Sequence, residues 1–587
     1  DPTGDPAFIA NTSFDNFQTT ETSVYGSTGL AENLAGDLSI YYADQNEGYG
    51  TNQFDGKDVY DREELGLRTS LLYTAGATRA RLSLDYSDTE SSLGVARQAD
   101  RGARTVDGQG PQKDYWDTNL NWAPSNVQEG WGTSLKLTHD LENMQVVSLT
   151  GYRSGNNRFR ADQDATPLSI IDAIIDDEAT TLSQELQLQS TGAGPLNWIV
   201  GLYYFNFDVD YYVDTSASSP ISPLAAIGGT QIVESTLDTT SIAAYAQATY
   251  ALNERSNLTL GVRYTDDDRE FKGSFSRPNA PAPIPTFASG TSPKKESSGE
   301  ATWRVAFDHK FNDDVLGYAS YNRGFKSGVY NMINPNDLPV NSELVDAYEL
   351  GLKTDLLDRR LRLNTAAFYY DYQDLQVQTI NQGSVILFNA KKAEIMGAEI
   401  ELQALPTDRL ELTAGLSLLS SEYKDFPNAD ITEPVPPGRM APPFGGNWVC
   451  KSGQAVASPS CPEDVRVRLS GQSAEGNDVT RAPDFTASLS GRYGIPVASG
   501  EIGVGGSLMY NGGFYWEPDN RAEQDAYTLI NAQLDWRSAD RRYRVYAFGK
   551  NLGDEEYSQF LSGGSLGDIV SAAPPRTYGL GAEIRFE

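Results

Sequence analysis

The sequence predicts an all-β fold, a single closed antiparallel transmembrane β-barrel of about 22 strands. Three observations carry this. Apolar and polar residues alternate with a period of two through most of the chain. Tight turns and long polar segments succeed one another between the alternating runs. No run of 18 apolar residues occurs, so a helical crossing of a membrane is not available. A soluble sandwich also alternates, but it has no reason to sort its links by length. Short turns on one rim and long loops on the other are what an outer-membrane barrel shows.

Composition agrees. A chain of 587 residues exceeds an ordinary domain, but barrels grow by adding hairpins. The sequence holds 32 Tyr, 22 Phe and 54 Gly against 5 Met and 2 Cys, which suits strands and turns rather than helix bundles. A net charge of −34 argues against nucleic acid, whose phosphates need a basic surface, and against a binder of the anionic cytoplasmic leaflet.

Taken in order, the first strands are predicted at 6–13, 18–30, 36–48, 60–74 and 78–90. In the last of these Leu82, Leu84 and Tyr86 alternate with Arg81, Ser83 and Asp85. The pattern then predicts 130–140, 143–155, 181–191, 196–212, 238–251 and 255–269, where Leu258, Leu260, Val262 and Tyr264 alternate with Thr259, Gly261, Arg263 and Thr265. Next come 299–311, 314–324, 342–355, 360–375, 384–403 and 408–422. The chain closes with 481–493, 502–516, 525–537, 542–553 and 575–586. Long external loops are expected near 91–129, 156–180, 213–237, 270–298, 325–341, 423–480 and 554–574. Residues 1–5 read as a linker and 6–587 as the barrel. An even count brings both ends to the periplasm, where the last strand pairs with the first and removes the exposed edges.

Aromatics cluster towards strand ends, at Tyr41 and Tyr42, Tyr203 and Tyr204, Tyr211 and Tyr212, Tyr369 and Tyr370, and Phe514, Tyr515 and Trp516. Their expected role is the interfacial girdle. Tyr211, Tyr212, Phe514, Tyr515 and Trp516, with Trp448, are also the candidates for ligand or partner contact in the loops. Parity turns Arg81, Arg263, Asn364, Glu399, Glu401, Asn531, Gln533 and Asp535 towards the lumen. Ile170-Ile171-Asp172-Ala173-Ile174-Ile175 is an apolar stretch within an expected loop, read as a short helix folding over the mouth or as a segment that packs against a partner. The acidic groups Asp172, Asp176, Asp177 and Glu178, and Asp266, Asp267 and Asp268, lack the pattern of a calcium loop and read as solvated charge.

Cys450 and Cys461 lie in a Gly/Pro/Ser-rich loop; in an exported chain they read as one disulfide, the alternative being two unrelated thiols. A zinc pair is disfavoured because the two His residues, His139 and His309, are distant in sequence. No phosphate-cradling loop or His-Glu-x-x-His pattern appears, and no catalytic residue, metal or cofactor is expected.

The order of several short motifs resembles the barrel of TonB-dependent receptors. They are Arg323-Gly324-Phe325-Lys326, Glu349-Leu350-Gly351-Leu352-Lys353, Leu361-Arg362-Leu363-Asn364 leading to Ala367-Phe368-Tyr369-Tyr370-Asp371-Tyr372, Gly397-Ala398-Glu399-Ile400-Glu401 and Gly549-Lys550-Asn551-Leu552-Gly553-Asp554. Gly581, Ile584 and Phe586 resemble the C-terminal assembly signal of outer-membrane barrels, although Glu587 follows the aromatic. The resemblance implies active uptake of a scarce, bulky solute, by default a ferric siderophore, with oligosaccharide, cobalamin or an aromatic compound as other cargoes. It implies a plug domain, coupling through it to TonB–ExbB–ExbD, and a setting of outer-membrane lipid and lipopolysaccharide. The family's plug and TonB-binding segment are not in this sequence; a separate or cleaved plug, a part lying outside these residues and a plugless pore are the alternatives. A passive or gated pore and a surface protein-interaction barrel are the other functional classes.

Overall fold

In the computed structural model, the described residues are 2, 4–92, 97–98, 112–219, 222, 224, 228–281, 287–288, 294–381, 384–434, 448–450, 465–564 and 567–586. Twenty-two of the strands close into one antiparallel barrel. They are β1 (Ala7–Asp15), β2 (Thr19–Ala31), β3 (Leu34–Gln45), β4 (Arg62–Ala75), β5 (Thr78–Ser91), β6 (Ser125–Asp140), β7 (Met144–Asp162) and β8 (Asp172–Ser190). Then follow β9 (Leu196–Ser216), β10 (Thr230–Asn253), β11 (Ser256–Ser276), β12 (Lys294–Asn312), β13 (Val315–Lys326), β14 (Glu343–Leu356) and β15 (Leu361–Asn381). The last are β16 (Ser384–Thr407), β17 (Leu410–Asp425), β18 (Phe485–Val497), β19 (Gly500–Asn511), β20 (Tyr527–Ser538), β21 (Tyr543–Lys550) and β22 (Thr577–Phe586). Closure is by β1 against β22, with Phe8 opposite Phe586 and Asp15 opposite Gly579. The ten links on the rim that holds both ends are two to five residues long, and the other rim carries all the long loops.

The alternation sets two faces. On β11, Leu260, Val262 and Tyr264 are 51%, 55% and 55% exposed, whereas Thr265 and Asp267 on the other parity are buried. The same exposed stripe continues through Leu67 and Leu71, Leu82 and Leu84, Leu350 and Leu352, and Tyr578 and Leu580 on the closing strand. Each Å² of apolar surface left in water costs about 25 cal/mol, so a belt of this extent is a lipid-facing surface, not a hydrated one. Aromatics edge it. Tyr321 stacks on Tyr348 at 4.8 Å and Tyr348 meets Tyr369 at 6.3 Å, while Trp303 lies at 6.4 Å from Tyr321 on the neighbouring strand.

The inner face is polar and internally paired. Asp535, almost fully buried, lies 3.0 Å from Arg492, 3.3 Å from Arg537 and 3.8 Å from Arg544. Arg81 donates to the Ser70 hydroxyl, Asn531 to Ser507 and Gln533 to Asp535. The inward turn expected of Arg81, Arg263, Asn531, Gln533 and Asp535 is thus seen in their contacts, and Arg263 lies over the rings of Tyr203 and Tyr245. Near the closing strand the Tyr546 ring covers Gly581. A Cβ there would collide with the ring, so no larger residue fits without moving it.

Several expectations change. β7 to β12 run further than predicted, so 156–180, 213–237 and 270–298 hold much more strand and less loop. Their outer ends are rich in Asp, Asn and Thr, which read as loop although cross-strand hydrogen bonding continues. Ile170-Ile171-Asp172-Ala173-Ile174-Ile175 forms no helix: Asp172 begins β8, and Ile170 and Ile171 are buried in a tight link. The acidic groups lie on strands, where Arg158 sits 3.5 Å from Asp176 and Asn157 donates to Asp177. β19 stops at Asn511, so Phe514, Tyr515 and Trp516 are not its girdle; Phe514–Tyr515 pairs with Glu523–Gln524 in the loop above.

Candidate ligand pocket at the barrel mouth

The link between β13 and β14, residues 327–342, turns inward and lies along the wall formed by β10 to β12. Its Gly-Val-Tyr-Asn sequence presents Tyr330, which stacks on Phe271 at 5.0 Å and joins Leu237 in a buried cluster. Polar contacts fix its path. Ser235 donates to the Met332 carbonyl at 2.8 Å, and Lys294 donates to the carbonyls of Pro335 and Asp337 at 2.8 Å each. Arg269 donates to the Gly328 carbonyl and Ser327 to Asp267. This loop is therefore a fixed ledge in the mouth.

The other loops hold one another. Asn52 accepts from the Leu120 amide at 2.8 Å and donates to the Leu120 carbonyl at 3.0 Å. The Trp116 indole donates to the Ala573 carbonyl at 2.7 Å, and the Ala572 amide donates to the Tyr60 hydroxyl at 3.3 Å. The Asn121 backbone amide donates to Asp162 at 3.1 Å. Arg521 grips Asp568 through both terminal nitrogens at 2.8 and 2.9 Å, with Glu517 at 3.7 Å. Burial alone would lower the Arg521 pKa, but the charge and hydrogen bonds of Asp568, with Glu517, hold it above its usual value. Asn477 donates to the Pro518 carbonyl at 2.8 Å, which ties in the long link after β17.

Between the ledge and these loops lies a pocket of about 590 Å³. That is within the roughly 300–1,000 Å³ of small-molecule sites. Its lining includes Lys326, Gln376, Tyr423, Arg481, Trp516 and Phe560. The Arg481 guanidinium lies 4.9 Å over the Trp516 ring, and Phe514 and Phe560 meet that ring edge-on at 5.0 and 6.2 Å. The Trp516 indole nitrogen is buried without a hydrogen-bond partner. Such a site offers a flat apolar face flanked by cationic donors.

Of the residues singled out from sequence, the pocket gathers Trp516, with Phe514 packed behind it and Tyr515 in the same small hairpin. Tyr211 and Tyr212 lie elsewhere, on β9, and line a larger groove of about 860 Å³ with Asp176, Glu178, Asp210 and Glu234. Trp448 and Cys450 fall in a short strand, Trp448–Cys450, that pairs with the strand Val465–Gln472, Trp448 opposite Val467 and Cys450 opposite Val465. Cys461 lies outside the described residues, and so does any pairing of it. Gly581, Ile584 and Phe586 are on β22, where Ile584 sits opposite Ala10 and Phe586 opposite Phe8. Lys326, Gln376 and Arg481 carry no site signal in the sequence. They are scattered from position 326 to position 481, at the outer end of β13, on β15 and just before β18, and the folding of the loops at the mouth unites them. Among the described residues no group of three or more His, Cys, Asp or Glu is placed to hold a metal ion.

Residues 5–552 match the family described as TonB dependent receptor-like, beta-barrel. The chain belongs to that family. As one of its barrels it resides in the outer membrane of a Gram-negative cell. The family is one of receptors. Among curated relatives, the pesticin receptor of Yersinia enterocolitica is 23% identical over 409 residues, covering 69% of this chain and 51% of that protein. The chain thus spans about half the length of the pesticin receptors it matches. A probable TonB-dependent siderophore receptor, PiuA, of Acinetobacter baumannii is 22% identical, covering 92% of this chain and 74% of that one. Among solved structures, the ferric yersiniabactin uptake receptor FyuA from Yersinia pestis superposes with a TM-score of 0.80 at 16% identity, over 100% of this chain and 81% of that one. The siderophore receptor PiuA from Acinetobacter baumannii does so with a TM-score of 0.74 at 17% identity, over 100% and 82%.

Proposed function

We propose that this barrel belongs to a receptor that takes up a scarce, bulky solute across the outer membrane, with a ferric siderophore as the default cargo. The observation that carries the reading is the mouth pocket, an aromatic and cationic recess held by loops that pack on one another. A transporter needs such a recess to capture a dilute ligand before moving it. The names of the similar proteins, a siderophore receptor and a ferric yersiniabactin uptake receptor, support the same cargo class.

A lumen walled by 22 strands is too wide to be filled by its own side chains. A plug domain, in the same polypeptide or a separate one, is the partner that would fill it. TonB–ExbB–ExbD would act through that plug, which couples energy to release of the ligand. Lipid and lipopolysaccharide would surround the belt, and no chemistry on the cargo is part of the reading. Gly581, Ile584 and Phe586 would serve as the assembly signal, and Cys450 with Cys461 would close the loop between β17 and β18.

The test is uptake of radioactive iron by a Gram-negative host that lacks its own siderophore receptors and expresses the complete gene product. Accumulation that requires both this protein and TonB is the expected result. Accumulation indifferent to TonB, together with steady ion conductance of the reconstituted protein, would make it a passive pore.

A further inference from the structure

We propose that the two histidines are lipid contacts, each holding the phosphate of a phospholipid against the outside of the barrel at the rim that carries both chain ends. The inference is independent of the uptake reading and rests on the membrane setting and the wall. The sequence holds only two His, and both occupy the same kind of place. His139 is next to last in β6 and His309 is fourth from the end of β12, so both lie beside short links of that rim. Each is paired across the ladder with the first residue of the strand before it, His139 with Thr78 of β5 and His309 with Ser256 of β11. In both pairs the hydroxyl lies 2.9 Å from the ring's Nδ1. Parity turns both rings outward. Leu137 and Phe307, two residues before them, are 40% and 43% exposed, and Phe311 meets the His309 ring edge-on at 5.0 Å.

The hydroxyl fixes one ring nitrogen and leaves the other. Among the described residues neither Nε2 has a hydrogen-bond partner, and no carboxylate lies within ion-pair distance of either ring. The adjoining acids are engaged elsewhere: Asp140 lies 3.4 Å from Arg79 and accepts from Gln145, and Asp308 accepts from Asn257 at 2.8 Å. Where the hydroxyl donates to Nδ1, Nε2 keeps the ring's proton, and a protonated ring donates from both nitrogens. Either form leaves an N–H donor at the lower edge of the apolar belt, among Leu137, Leu141 and Val146 in one case and Phe307 and Phe311 in the other. A polar group left bare beside hydrocarbon is costly. The phosphate diester is the charged, and so the strongest, acceptor that a phospholipid brings to that depth. The two rings serve two separate lipids. They stand six strands apart, roughly 29 Å around the wall at about 4.8 Å per strand, so no one ion or headgroup bridges them.

The protein is folded into vesicles of phosphatidylglycerol and, separately, of galactosyl diacylglycerol, which has the same acyl esters and no phosphate. Released into maltoside and weighed by native mass spectrometry, the parent is expected to keep two phosphatidylglycerol molecules and no galactolipid. H139L and H309L should each remove one. T78V and S256A, which free the ring, should lower the retained fraction roughly 2- to 3-fold, and they serve as the test where a leucine variant does not close. In urea, H139L and H309L should each lower the folded-to-unfolded ratio roughly 3- to 10-fold in phosphatidylglycerol, the size of one hydrogen bond, and less than about twofold in galactolipid. Folding of every variant is checked by the heat-dependent gel shift of a closed barrel. A parent that keeps no phospholipid, or variants that keep as much as the parent, would overturn the proposal. Equal losses in the two lipids would also overturn it, assigning the contact to ester carbonyls or water. Inorganic phosphate added to the galactolipid vesicles should stabilise the parent no more than H139L and H309L; a gain confined to the parent would replace the lipid by free phosphate.

Discussion

The Tyr546 hydroxyl donates to Oδ1 of Asn11 at 3.1 Å, reaching across β22 from β21 to β1. The ring crosses directly above Gly581, so one side chain spans the three strands that close the barrel. Gly581→Val must displace that ring and is expected to cost about 1–3 kcal/mol, as overpacking does. Tyr546→Phe loses only the hydrogen bond, about 0.5–1.5 kcal/mol. Urea unfolding in detergent, followed by the gel shift, checks the order: G581V the weaker barrel, Y546F close to the parent. A parent-like G581V would show that the seam does not depend on this crossing.

The lipid belt gives a second expectation. Leu350 is 65% exposed on the outward stripe, between Tyr348 and Leu352. Leu350→Arg should destabilise the folded barrel by about 2–4 kcal/mol in a bilayer if the site is near the midplane. Leu338, 84% exposed in the loop after β13, should accept Arg with little effect, within about 0.5 kcal/mol, because water already covers it. Folding titrations in liposomes distinguish the two, and equal costs would argue against the assigned belt.

Arg521 is the third. It is buried between Asp568 and Glu517, and removing it takes away the cation that both carboxylates face. Arg521→Leu should cost about 3–5 kcal/mol locally, the penalty for breaking a buried ion pair. The loss should appear as proteolysis of 512–526 and 551–576 at protease doses that leave the parent intact, while the barrel itself stays closed. Adding Asp568→Asn should recover part of the loss.

The link between β7 and β8 should respond to pH. Burial is the main cause that pushes the Asp164 carboxyl up to about 6, against the hydrogen bonds it accepts from Thr166, Ile171 and Ile170. Burial, with Asp164 and Asp172 beside it, also raises Asp162, at the outer tip of β7, well above the usual carboxylate range. A carboxyl raised in the folded state favours folding in its protonated form. Its contribution is fully present below the unfolded pKa near 3.8 and is lost as pH rises through about 6. The Ile170 and Ile171 amides should therefore exchange more slowly at pH 5 than at pH 7.5, by roughly tenfold after correction for the intrinsic rate, since one pKa unit is about 1.4 kcal/mol. Hydrogen exchange resolved to that segment is the measurement; faster exchange at pH 5 would reverse the sign.

Much of this fold is legible because a strand between lipid and a polar lumen has no freedom in its alternation. Leu260, Val262 and Tyr264 can face only one way, and Gly261 and Arg263 only the other. The upper strands are harder. Beyond the belt both faces meet water or loops, so Asp176, Asp177 and Glu178 carry no burial signal although they are paired in β8. The pocket is least legible. Trp516 stands out as an aromatic in a loop, but Lys326 ends a strand and Arg481 reads as the start of one. Their meeting depends on the path of 327–342 and on loops that close over the mouth, which no local pattern encodes.

Asn52, Trp116 and Arg521 also bear on how such a receptor changes its preferences. Each of them fastens a loop to a different loop, not to the strand that carries it. A single loop transplanted from a relative would arrive without its counterparts, leaving Leu120, Ala573 or Asp568 facing strangers. Recognition at this rim is then inherited as a set, and new specificity arises more readily from small changes inside the pocket than from exchange of whole loops.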